Sequence, residues 1–129
     1  TQGVSSAASD VYKRQIQSTE TIIMHGKRNG VPMAVASSGC REVVRMHLKQ
    51  RGLLDLFDCV VTCEDVERGK PAPDLYLLAA KKLRVDPKEC TAYEDALLGI
   101  ASAKKAGMDV VDVRQLEGYP NPEALFYDN

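Results

Sequence analysis

Residues 91–100 read TAYEDALLGI, and the fold turns on how this stretch is divided. Thr91-Ala92-Tyr93-Glu94 is a short strand, and Ala96 to Ala106 is a helix stopped by Gly107. Glu94 and Asp95 therefore sit where a strand hands over to a helix. Two carboxylates there suit oxygen coordination of a hard cation. Asp95 equally suits the helix N-cap. Gly99, one turn into the helix, costs about 1 kcal/mol relative to Ala. Either a close backbone approach or a simple packing need accounts for it.

The same alternation runs outward in both directions. Ile16 to Asn29 reads as a helix with Ile22 and Ile23 among its apolar positions and Gly30 as its stop. Met33 to Ala36 is a buried strand, broken by Ser37-Ser38-Gly39. A helix over 41–51 follows, closed by Gly52, and Cys59 to Thr62 is a second strand. A long loop then holds Gly69, Lys70, Pro71 and Pro73. Pro73 suits the first turn of the next helix, and Asp74 complements its dipole. That helix places Tyr76, Ala79, Ala80 and Leu83 at i, i+3, i+4 and i+7. Asp86-Pro87 makes a turn, and Val110 to Val113 is the last strand. Strands alternating with helices predict an α/β fold: a Rossmann-like parallel sheet with flanking helices, built from right-handed βαβ units. In such sheets ligands bind beyond the carboxyl ends of the strands.

The 129 residues support one domain, able to bury roughly two-thirds of its unfolded surface. Residues 1–15 are small and polar without apolar periodicity, and are set apart as a non-native leader, or else as a poorly ordered arm. Residues 16–114 form the core domain, and 115–129, with Gly118, Pro120 and Pro122, a tail. A net charge of −1 with mixed signs excludes nucleic acid or an anionic membrane as the main partner. No apolar run reaches the ~20 residues of a membrane span, and no secretory signal opens the chain. Cys40, Cys59, Cys63 and Cys90 form no C-x-x-C pair, and His25 and His47 stand alone, which argues against zinc. The thiols read as small core residues in a reducing cytoplasm.

Two further strand ends carry chemistry. A hydroxyl and backbone N–H groups at Ser37, Ser38 and Gly39 can bind phosphate at a helix start, or Ser37 can be a plain N-cap. Lys70 precedes a proline, which biases it towards an extended backbone. It is either a solvated charge or a cation projected into a cleft, where it neutralises phosphate.

Hydroxyl, lysine and acidic pair thus follow three successive strand ends. This order resembles the haloacid dehalogenase-like superfamily, and VASSG, GKPAPD and YEDALLGI resemble its β-phosphoglucomutase-like branch. AGMDVVDVR is similar to small sugar-phosphate phosphatases of that branch. The resemblance implies Mg²⁺-dependent phosphoryl transfer from a small phosphorylated metabolite, a sugar phosphate, by a cytoplasmic monomer. It implies that Ser37 and the Ser38 N–H hold the phosphoryl group and that the catalytic Lys70 bridges phosphate and nucleophile. Asp95 then binds Mg²⁺, with Glu94 in or just outside the metal shell. The superfamily's D-x-D-G-T motif, which carries the nucleophile and the general acid and base, does not occur in these residues. The resemblance therefore implies a truncated core without its first strand and most of its helical cap, and without turnover. The rival expectation is a non-catalytic phosphate- or metal-binding module. A receiver domain is excluded, because there the acidic cluster comes first and the lysine last.

Overall fold

The computed structural model describes residues 19–116. Helix α1 covers 19–28 of these residues. It is followed by β1 (Ala34–Ala36), α2 (Arg41–Gln50), β2 (Cys59–Val61), α3 (Asp74–Leu83), β3 (Thr91–Glu94), α4 (Leu97–Lys105) and β4 (Asp109–Asp112). Short 3₁₀ turns at Leu54–Leu56, Cys63–Asp65, Pro87–Glu89 and Val113–Gln115 fill the connections. The α/β alternation stands as the sequence predicts it. The leader at 1–15, the start of the first helix at 16–18 and the tail from 117 lie outside the described residues.

The strands form two parallel pairs. In β1–β2, Val35 lies opposite Val60; in β3–β4, Ala92 lies opposite Val110. Each pair is closed by its own intervening helix, α2 or α4, as parallel pairing requires. Among the described residues no ladder joins β1 to β3. What spans the two pairs is α3. Leu75 and Ala79 pack with Val61, while Tyr76 and Ala80 pack with Ala92, Ala103, Ala106 and Met108. Ala36, at the end of β1, touches both clusters. The predicted stripe on α3 omitted Leu75, which is fully buried, and included Leu83, which is only half-buried. The helix lies in the angle between two surfaces, so its buried arc is wider than a single i, i+3, i+4 row.

The expected helix stops at Gly30, Gly52 and Gly107 all adopt positive φ, 67°, 69° and 89°. Helix α3 offers no glycine and ends on Arg84 at φ 60°, so no glycine marked that boundary in the sequence. Three strands shift at their ends, and Thr62 leaves β2 to cap the 3₁₀ turn at Cys63–Asp65. Met33 leaves β1 because its N–H donates to the Asp58 carboxylate at 2.8 Å. Val113 leaves β4 because Asp112 accepts from the Arg114 N–H and starts a 3₁₀ turn. The cysteines correct another expectation. Cys59 and Cys90 are partly buried against the two clusters, but Cys40 and Cys63 are exposed, since both sit in loops beyond strand ends.

Packing is thin in two places. Five of the eleven buried apolar residues described are alanine. None of the residues of α2 is buried, and Leu97 and Leu98 on α4 are 72% and 60% exposed. Two-stranded sheets are marginal unless packed against more structure. The 129-residue chain alone is therefore expected to melt in the lower part of the range of mesophilic domains, below about 55 °C by calorimetry. A cooperative transition above about 55 °C contradicts this account of the packing.

Candidate active site

Three chain segments converge at the carboxyl ends of β1 and β3. The first is the loop after β1. Ser37 N–H extends the β1–β2 contact by donating to Val61 O at 2.9 Å. The Ser37 hydroxyl accepts from Gly39 N–H at 3.1 Å, which leaves its own proton to donate. Ser37 is not the helix cap. Cys40 holds the N-cap position of α2 and makes no side-chain cap bond. Glu64 occupies the helix's first free donor instead, accepting from Arg41 N–H at 2.8 Å. Among the described residues no hydrogen bond takes up the Ser38 N–H, which belongs to an exposed residue.

The second segment is the loop carrying Lys70. Its backbone is pinned on both sides of the lysine. Ala72 N–H donates to Gly69 O at 3.0 Å, and the fully buried Ser102 hydroxyl donates to Ala72 O at 2.6 Å. Arg68 donates to both oxygens of Asp74, at 2.8 and 3.3 Å, so Asp74 closes this loop as well as standing at a helix start. The Lys70 ammonium points inward. It donates to Ala36 O at 3.2 Å and to Glu94 Oε2, and it lies 5.2 Å from the centre of the Tyr76 ring. Lys70 is thus a part-buried, paired cation rather than a solvated one.

The third segment is the end of β3. Glu94 is only 7% exposed. Its Oε2 accepts from Lys70 and from the Tyr76 hydroxyl at 2.5 Å, and its Oε1 accepts from Asp95 N–H at 3.3 Å. Gly99 explains how the carboxylate fits. A Cβ built there would overlap the Glu94 carboxyl carbon and both its oxygens. Of the two readings open for Gly99, close approach is the one observed, although the neighbour is a side chain. Asp95 is exposed and is not the N-cap of α4, a position taken by Ala96 without a side-chain bond.

Lys70 therefore joins Glu94 to Ala36, the residue before Ser37, while Asp95 and Ser38 are exposed. As a metal site the donor chemistry is suitable: adjacent carboxylates are the hard oxygen ligands Mg²⁺ takes. Asp95 is the more exposed of the two, and Glu94 is engaged by Lys70 and Tyr76. No group of three or more metal-ligating side chains occurs among the described residues. A hollow lined by Glu42, Arg45, Met46, Lys49, Gln50 and Leu54 shares no residue with this cluster.

Tyr76 was missed as a site residue, because it reads as one more apolar position of α3. Burial first, then its bond to the Glu94 carboxylate, pushes its phenol far above the usual range. Arg41 was also missed. It ties α2 to the loop after β2 through Asp65 at 2.5 Å and Glu64 at 3.6 Å. Asp65 is held below the usual carboxylate range, chiefly by the Thr62 N–H and then by Arg41.

Comparison with known proteins identifies the family. Residues 4–113 match the haloacid dehalogenase-like hydrolase family, and the chain belongs to that family. The match begins inside the segment expected to be a leader. The chain is 48% identical over 94 residues to YhcW of Bacillus subtilis, covering 73% of this chain and 43% of that protein. It is 45% identical over 92 residues to the fructose-1-phosphate phosphatase YqaB of Escherichia coli, covering 71% and 47%. The structure of CbbY from Rhodobacter sphaeroides in complex with phosphate superposes with a TM-score of 0.68 at 30% identity, covering 80% of this chain and 49% of that one. The chain spans about half the length of the curated relatives it matches.

A depressed carboxylate gives stability that is present above its unfolded pKa of about 3.9 and is lost as pH falls through the lower folded value. The Asp65→Ala variant should therefore be less stable than the parent at pH 7 in denaturant titrations. The gap should narrow as pH drops below about 4. A gap independent of pH contradicts this role for Asp65.

Proposed function

We propose that this chain is part of a Mg²⁺-dependent phosphoric monoester hydrolase or phosphomutase of the cytoplasm that acts on a small sugar phosphate. The observation that carries the reading is Lys70, a part-buried ammonium held at the carboxyl ends of β1 and β3 beside a hydroxyl loop and an acidic pair. Support for the substrate class comes from the phosphatase YqaB and the phosphate complex of CbbY. Support for the compartment comes from four unpaired thiols.

In this reading the Ser37 hydroxyl and the Ser38 N–H donate to the phosphoryl oxygens and fix their orientation. Lys70, whose side chain is 14% exposed, neutralises charge that builds on the group in transfer. Asp95 holds the metal from the solvent side, with Glu94 in or beside its shell. When bound, Mg²⁺ supplies further charge neutralisation and orientation of the phosphoryl group. The nucleophilic Asp and the general acid and base come from a segment outside these 129 residues. The length of the relatives, the unjoined β1 and β3, and the exposed Tyr93, Leu97 and Leu98 beside β3 all support that assignment.

An aryl phosphate assay with Mg²⁺ separates the parts of this reading. The 129-residue chain should give no rate above background, since loss of a covalent nucleophile costs about 10⁴-fold or more in hydrolase triads. The same chain with its upstream coding sequence restored should be active. Lys70→Ala should then lower kcat by about 10²-fold or more, as loss of an oxyanion donor does. Lys70-dependent turnover by the 129 residues alone contradicts the missing nucleophile. Inactivity of the longer protein towards all phosphate esters favours a binding module instead.

A further inference from the structure

Tyr76 touches both charged groups of the site, and the phosphoryl-transfer reading gives it no task. Its ring is locked in place by packing against the cluster of Ala80, Ala92, Ala103, Ala106 and Met108. A phenylalanine would fill the same volume without bringing a polar group indoors. The hydroxyl that tyrosine adds is aimed at one acceptor, Glu94 Oε2, at 2.5 Å. That same oxygen accepts from Lys70, whose ammonium stands 5.2 Å from the centre of the same ring. On the opposite flank, Gly99 leaves open the space that the carboxylate fills. Glu94 is thus held by a hydroxyl on α3, an ammonium from the loop before α3 and a gap in α4. A carboxylate normally turns freely about its last torsion. Here each oxygen has a fixed donor, so Lys70 finds its partner in one place.

The geometry points to Tyr76 as a positioning residue: with the space left by Gly99, it fixes the Glu94 carboxylate and, through it, the Lys70 ammonium at the carboxyl ends of β1 and β3. This deepens the phosphoryl-transfer reading and rests on it for the task Lys70 performs. Tyr76 itself does not meet the substrate in this assignment. Its effect is on where the cation stands.

Limited labelling with an amine-reactive reagent, quantified for each lysine by mass spectrometry, tests the assignment on the 129-residue chain without ligand. In the parent, Lys70 should react more slowly than the exposed Lys104 and Lys105. Tyr76→Phe should raise the Lys70 rate towards that of Glu94→Gln, by up to about tenfold, the factor that corresponds to 1.4 kcal/mol of lost interaction at 25 °C. Lys104 and Lys105 should not change. A purely structural role predicts instead that all lysines speed up together or that none does, and either result overturns the proposal. Gly99→Ala is the second variant, because it displaces Glu94 while keeping the tyrosine. It should give the same Lys70-selective signature, and a Lys70 rate equal to the parent's overturns the assignment. A parallel arm adds inorganic phosphate with MgCl₂. Protection of Lys70 in the parent supports the phosphoryl-transfer reading. Its absence counts against that reading alone, since the comparison without ligand still decides the part played by Tyr76.

Discussion

The part-buried contact between Lys70 and Glu94 is the constraint around which the rest of the structure is arranged. The side chains are 14% and 8% exposed, so neither charge is well solvated. Taking one partner away from a fully buried pair typically costs about 3–5 kcal/mol, which bounds the cost here from above. The surroundings meet much of the remaining bonding capacity. Ala36 O takes a second lysine proton, Tyr76 and the Asp95 N–H bond the carboxylate, and the Tyr76 ring faces the cation. No buried side-chain nitrogen or oxygen among the described residues lacks a partner.

The contact also explains how two separate strand pairs form one face. The β1–β2 and β3–β4 ladders are not joined to each other among the described residues. Lys70 bonds the last residue of β1 and the last residue of β3, and α3 seals the same junction from its packed side. Local chemistry and fold are therefore coupled. The loop that delivers the cation is fixed by Ser102 from α4 and by the Arg68–Asp74 pair at the start of α3.

Much of this was legible in the sequence because it rests on local rules. Strand–helix alternation, the three glycine stops and the strand-end positions of Ser37, Lys70, Glu94 and Asp95 follow from periodicity and backbone preference. What was not legible depends on pairs distant in the chain. Tyr76 hides in an apolar stripe until Glu94, 18 positions away, is known to lie beside it. Gly99 signals a close neighbour but not which one. Leu75 is buried only because α3 lies between two surfaces. Cys40 and Cys63 are exposed because each follows a strand end, where the general tendency of cysteine to be buried yields to position. Ser37 and Asp95 had suited their helix caps by residue type, yet Cys40 and Ala96 take those positions.

The central claim is that Lys70 and Glu94 act as one unit. A double-mutant cycle of Lys70→Met and Glu94→Gln, read by denaturant unfolding of the 129-residue chain, measures it most directly. The account predicts a coupling energy of about 1–3 kcal/mol, as found for residues in direct contact within one network. Additivity to within about 0.5 kcal/mol, the behaviour of independent sites, contradicts it.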